Sequence, residues 1–190
     1  MGGSTGRSYV SRGGEKLAFA LDQFNAVVSG RTCADLGSNV GGFVDCLLRR
    51  EAARVYAVDT GYGALAWPLR RDERVVVLER TNALHVELPE PVTLVTVDVA
   101  WTRQHLILPH ALTLLSPPGE VLTLIKPQYE APASRLRGGV LPHDRLEETL
   151  AEMTARLARA GITLDATVEC PLRGAKGNRE FWGWIRRPAS

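Results

Sequence analysis

The chain has 190 residues, enough for one domain around a single core. Hydrophobic residues make up 45% and charged residues 23%, and a formal net charge of +2 is too small for the whole-molecule field to argue for nucleic acid. No apolar run of 18 residues and no signal-peptide core occur, and Cys33, Cys46 and Cys170 are odd in number and widely spaced, so a cytoplasmic protein with reduced core cysteines, no membrane span and no metal is expected.

Residues 1–8 are small and polar and read as a flexible lead-in to one domain over 9–187. Leu17, Leu21 and Phe24 recur at helical spacing after a Gly13-Gly14 break. A buried strand over 32–37 runs into a glycine-rich turn, and Phe43, Val44, Leu47 and Leu48 then supply a helix face. A second strand covers 54–59, a helix 63–71 and a third strand 74–79. The rhythm repeats with a strand over 92–98, a helix over 104–115 and a strand over 120–126. Residues 135–141 read as a mobile loop. Leu146, Leu150, Met153 and Leu157 mark a long helix, with Asp144 and Glu147 spaced as a capping box and Gly161 as its stop. Two strands over 162–169 and 180–185, with no helix between them, should form an antiparallel hairpin. Alternation of strand and helix elsewhere predicts an α/β fold with a mostly parallel sheet and helices on both faces.

Asp35, Gly37, Ser38, Asn39, Gly41, Gly42 and Phe43 lie where the first strand gives way to a helix. Glycines there allow the backbone to approach a ligand, but the spacing is not the Gly-x-Gly-x-x-Gly that cradles a dinucleotide. Asp35 suits a ligand bearing an ammonium group, and Asp59, ending the next strand, is placed to accept ribose hydroxyls. A cationic amino-acid nucleoside, S-adenosylmethionine, fits these positions better than NAD.

Asp98 and Lys126 end neighbouring strands, and Glu180 starts the strand that runs back, so all three belong at the carboxyl edge of the sheet. The structural alternative for Lys126 and Asp98 is a plain salt bridge. Only Lys16, Lys126 and Lys176 among the 23 basic residues are lysines; the other twenty are arginines. A lysine kept against that bias suggests a task for a compact ammonium rather than a guanidinium. Arginine groups at Arg70, Arg71 and Arg74, at Arg135 and Arg137, and at Arg173 and Arg179 beside Lys176 are candidate contacts for RNA phosphates or simply solvated faces.

Tyr9-Val-Ser-Arg-Gly-Gly14-Glu-Lys16-Leu, Asp35-Leu-Gly-Ser, Gly41-Gly-Phe, Val58-Asp59-Thr-Gly-Tyr-Gly63, Leu65-Ala-Trp, Leu78-Glu-Arg-Thr-Asn82, Lys126-Pro-Gln-Tyr-Glu130 and Gly177-Asn-Arg-Glu180-Phe follow in fixed order. Over about residues 9–185 this pattern resembles the TlyA family of bacterial rRNA 2′-O-methyltransferases, also called hemolysins, whose catalytic domain is FtsJ-like. The resemblance implies a class I S-adenosylmethionine-dependent methyltransferase fold, a Lys-Asp-Lys-Glu tetrad mapping to Lys16, Asp98, Lys126 and Glu180, and cofactor contacts that include Asn82 and Asp98. It implies RNA, namely ribosomal RNA or a ribosomal subunit, as partner. Relatives carry Ser-Phe soon after the motif Asp, where this chain has Val99-Ala100-Trp101, and a glycine turn that differs from the one here. Typical members place a small RNA-binding domain in front; nothing before Tyr9 is long enough to fold, so that domain is expected to be absent. The rival readings are an RNA-binding or ribosome-assembly module without catalysis, a membrane-active hemolysin, and a base or small-molecule methyltransferase on the same fold.

Overall fold

The computed structural model describes residues 9–174 and 176–189, so the lead-in expected over 1–8 lies outside the described residues. The elements are α1 (Arg12–Phe24), β1 (Thr32–Leu36), α2 (Gly42–Arg49), β2 (Arg54–Val58), α3 (Trp67–Arg70), β3 (Val75–Leu78), β4 (Val92–Val97), α4 (Gln104–Thr113), β5 (Leu115–Ile125), α5 (Pro127–Glu130), α6 (Leu146–Arg159), β6 (Ala166–Glu169) and β7 (Phe181–Arg187). They build one sheet in the order β3-β2-β1-β4-β5-β7-β6. β1 to β5 are parallel, whereas β7 runs antiparallel to both β5 and β6. The doubly covered, mostly parallel sheet and the closing antiparallel pair both match the expectation.

Side-chain alternation along the strands sorts the core into two layers. Cys33 of β1 and Val55 and Ala57 of β2 face the helices α1 and α2, where Leu17, Leu21, Val44 and Leu47 close around Trp182. Ala34, Leu36, Tyr56 and Val58 face the other way, onto Ile107 and Leu108 of α4 and Met153 and Leu157 of α6. Each such fully buried aliphatic side chain contributes roughly 1.5–3 kcal/mol. Cys33, Cys46 and Cys170 are free and buried, and burial pushes the Cys33 thiol up to about 12.

Several local expectations are corrected. Gly13 and Gly14 lie inside α1, because Ser11 caps the helix by accepting the Gly13 N–H on its Oγ at 3.2 Å. The helix expected over 63–71 shrinks to Trp67–Arg70, since Gly63 has φ +72 and Ala66 is extended ahead of Pro68. Leu115 opens β5 rather than closing α4, and the strand is thereby longer than expected. The capping box at α6 does not form; Arg145 is the N-cap, preceded by a 3-10 turn over His143–Arg145. Gly161 does follow that helix, with φ +72.

Register decides where the chemistry falls. Leu36 pairs with both Val58 and Val97, and Val97 with Thr123, so the residues after β1, β2, β4 and β5 emerge at one edge. Ile125 pairs with Phe181, which sets Lys126 and Glu180 on neighbouring chains just beyond that pair.

Candidate active site

Four charged side chains meet at this edge as two ion pairs. Lys16, from the second turn of α1, places its Nζ 2.5 Å from Glu180 Oε2, and both residues are buried. Lys126 Nζ lies in ion-pair contact with Asp98 Oδ1. Burial alone would lower the Lys126 pKa, but the charges of Asp98 and Glu180 and the neighbouring Tyr129 outweigh it, so the net direction is upward and the residue is held as an ammonium. Gly174 makes room for the Glu180 carboxylate, because a Cβ there would stand 2.4 Å from Oε1.

Both pairs line a cavity of about 680 Å³ whose walls also include Gly37, Ser38, Asn39, Phe43, Trp101 and Tyr129. That is room for a nucleoside-sized group together with part of a second ligand. One rim is the segment over 131–141; its part over 135–141, expected to be a mobile loop, is hydrogen-bonded by Asn178, whose Oδ1 accepts the Leu141 N–H at 2.9 Å and whose Nδ2 donates to the Gly139 carbonyl at 3.0 Å. At the mouth Trp101, 82% exposed, lies with its ring centroid 4.8 Å from that of Tyr129.

The glycine turn forms the floor. Gly37 takes φ +94 and packs so closely on the chain after β4 that a Cβ would lie 2.5 Å from the Asp98 carbonyl oxygen. Asp59 ties the turn to β2, accepting the Asn39 N–H at 2.8 Å and the Gly61 N–H at 2.7 Å. Beneath it Asp35 is fully buried; Thr96 Oγ1 donates to Oδ1 at 2.8 Å and Oδ2 has no partner. Burial, opposed by the Thr96 hydrogen bond and reinforced by the charges of Asp98 and Asp59, pushes the Asp35 carboxyl up to about 8.

That shift has a stability consequence of definite sign. The folded chain holds the Asp35 proton more tightly than the unfolded chain, so the associated stability is present below about pH 4 and is lost as pH rises through about 8. Asp35→Asn keeps a neutral polar group. In urea titrations it should gain on the wild type by at least roughly 1 kcal/mol between pH 5 and pH 8.5. A difference independent of pH would show that Asp35 ionises like an ordinary aspartate.

A family model described as FtsJ-like methyltransferase matches residues 9–187. The chain belongs to the FtsJ-like methyltransferase family. This FtsJ-like chain is 41% identical over 187 residues to the 16S/23S rRNA (cytidine-2′-O)-methyltransferase TlyA of Mycobacterium tuberculosis, covering 95% of itself and 69% of that protein. It superposes with TM-score 0.90 and 34% identity on a Streptococcus thermophilus structure carrying a provisional hemolysin name, covering 99% of itself and 70% of that chain. An S-adenosylmethionine-dependent methyltransferase from Mesorhizobium loti shares the fold, with TM-score 0.66 at 19% identity over 90% of this chain and 98% of that one.

The methyl donor of this FtsJ-like methyltransferase is S-adenosylmethionine, and the residues present fit it. The negative charges of Asp59 and Asp98, just past the strands on either side of β1, are felt at Asp35 and favour a cationic ligand there. Asp35 Oδ2 has no partner, and the two Asp59 oxygens each retain accepting capacity for a ribose hydroxyl. Of the expected cofactor residues, Gly37, Ser38, Asn39, Gly42, Phe43 and Asp98 line the cavity. Asp35 and Asp59 are not among its lining residues; Asp35 is fully buried and Asp59 half-buried. Gly41 packs against Leu65 and Leu69, and Asn82 is exposed with Oδ1 accepting the Leu84 N–H.

The expected RNA-binding cations of the FtsJ-like chain divide into two kinds. Arg70 pairs with Glu79, Arg74 with Asp72, Arg135 with Glu148 and Glu152, and both Arg173 and Arg179 with Glu169. Among the described residues, Arg71, Arg137 and Lys176 have no carboxylate partner, and Lys176 lines the cavity. Arg12 lines it too, and the pattern of arginine clusters does not single it out. Gln128 and Asn178 were also missed as site residues, although each is two positions from a charged member of the tetrad. Among the described residues no helix is long and apolar enough to cross a membrane, and no group of three or more His, Cys, Asp or Glu side chains is arranged to hold a metal ion.

Proposed function

We propose that the chain transfers a methyl group from S-adenosylmethionine to the ribose 2′-oxygen of a cytidine in ribosomal RNA, in the cytoplasm where ribosomes are found. The observation that carries this reading is the placement of two lysine–carboxylate pairs in one cavity beside the glycine turn. A methyl group on a sulfonium needs no metal to be electrophilic; what the protein supplies is alignment of the attacking oxygen and a place for its proton. Lys126, held as an ammonium, orients the hydroxyl by donating to its oxygen. Asp98, beside it, receives the proton as the O–C bond forms, when the oxygen has become strongly acidic. Lys16 and Glu180 fix the opposite wall and complete the charge balance. Arg12 and Lys176, which line the cavity, and Arg137, next to the lining residue Leu136, have no carboxylate partner among the described residues and are assigned to RNA phosphates.

Incubating ribosomal RNA with the protein and methyl-labelled S-adenosylmethionine tests this directly. Label recovered as 2′-O-methylcytidine is the expected result. Label on a base, or transfer that persists when the accepting ribose is 2′-deoxy, contradicts it.

A further inference from the structure

Gln128 is the second residue of α5, two positions past Lys126, and lines the same cavity as Lys126, Asp98, Trp101 and Tyr129. The residue is only 9% exposed, and its Oε1 is buried without a hydrogen-bond donor. Buried acceptors without a partner are rare and destabilising, so such an atom in the wall of a ligand cavity marks where a ligand's donor belongs. The charged members of the tetrad and the Asn178 amide are engaged elsewhere: Lys16 with Glu180, Lys126 with Asp98, and Asn178 with Leu141 and Gly139. The turn that carries Gln128 is also held firmly from behind. At its end Glu130, 2% exposed, accepts the Gln104 N–H at 2.7 Å and an Arg156 guanidinium N–H at 2.9 Å. A polar group on so rigid a support discriminates well between ligands that differ by one hydrogen-bonding atom.

We propose that Gln128 is the specificity-determining residue for the acceptor base, its Oε1 accepting a hydrogen bond from the 4-amino group of the target cytosine. This rests on the ribose-methylation reading above. A ribose whose 2′-oxygen lies at Lys126 carries its base farther along the same wall, where a side chain two residues beyond Lys126 stands. Cytosine presents a donor at position 4, whereas uracil presents a carbonyl, which would set acceptor against acceptor.

The test crosses one substrate atom with one side chain. A ribosomal-RNA fragment is made with cytidine, or with zebularine, which has hydrogen in place of the 4-amino group, at the target position. Single-turnover transfer is then measured for the wild type and for Gln128→Met. The wild type should be slower on zebularine by on the order of 10- to 100-fold, and Gln128→Met should lose a similar factor on cytidine but little more on zebularine. Gln128→Glu, which keeps an acceptor at the same reach, should retain the preference for cytidine. Losses that multiply independently overturn the proposal, as does a Gln128→Met variant with wild-type discrimination. So does a fall in S-adenosylmethionine affinity parallel to the fall in rate, which would place Gln128 on the cofactor. A wild type that methylates neither fragment contradicts the ribose-methylation reading itself, whereas methylation without discrimination contradicts the Gln128 assignment alone.

Discussion

Glu180→Ala should destabilise the fold by about 3 kcal/mol, because it strands a lysine rather than merely deleting a contact. Lys16 is 9% exposed and Glu180 2%, and their ammonium–carboxylate separation is 2.5 Å. Breaking a buried pair on one side leaves an uncompensated charge, and the figure stands at the low end of the usual range because Lys16 borders an open cavity through which water can reach it. Replacing both partners removes that penalty. Lys16→Met/Glu180→Leu should therefore recover most of the stability in denaturant titrations while remaining inactive in methyl transfer. If the single and double variants were equally unstable, the pair would owe its position to packing and not to charge compensation.

Lys126→Ala should lower methyl transfer by at least roughly 10²-fold, the ordinary scale of a positioned proton-handling group. Its effect on S-adenosylmethionine should be of opposite character. Asp98 loses its counterion and becomes a better partner for a cationic ligand, so calorimetry should find the affinity unchanged or improved. A variant that failed to bind the cofactor would assign Lys126 to the binding of the donor rather than to the hydroxyl.

The sheet and the charged residues on its carboxyl edge were readable from the chain because three of the parallel strands, β2, β4 and β5, are followed directly by a residue that cannot be buried unpaired: Asp59, Asp98 and Lys126. Strand alternation and edge position are local properties, and both survive folding intact. What escaped sequence reasoning depends on long-range pairing. The partner of Lys16 is 164 residues away, and nothing near Lys16 in sequence indicates that β7 runs between β5 and β6 and brings Glu180 to it. The arginine clusters looked alike in sequence, yet folding gives Arg70, Arg74, Arg135, Arg173 and Arg179 carboxylate partners and leaves Arg137 and Lys176 without one among the described residues. Helix limits were misplaced where a single side chain decided them, as at Ser11, or where a backbone turn intervened, as at Gly63. Gln128 could be noticed only once the burial of its oxygen was known.

The central claim, that Lys126 acts on the acceptor oxygen through a compact ammonium, is tested most directly by the single-turnover rate of Lys126→Arg on ribosomal RNA with S-adenosylmethionine saturating. Arginine preserves the charge, and its planar fork would grip Asp98 through two hydrogen bonds, filling the space of the hydroxyl and occupying the proton acceptor. The account predicts a folded variant that binds S-adenosylmethionine normally and transfers methyl at least roughly 10²-fold more slowly than the wild type. A variant that transfers at near the wild-type rate would contradict it, and would reduce Lys126 and Asp98 to a structural salt bridge.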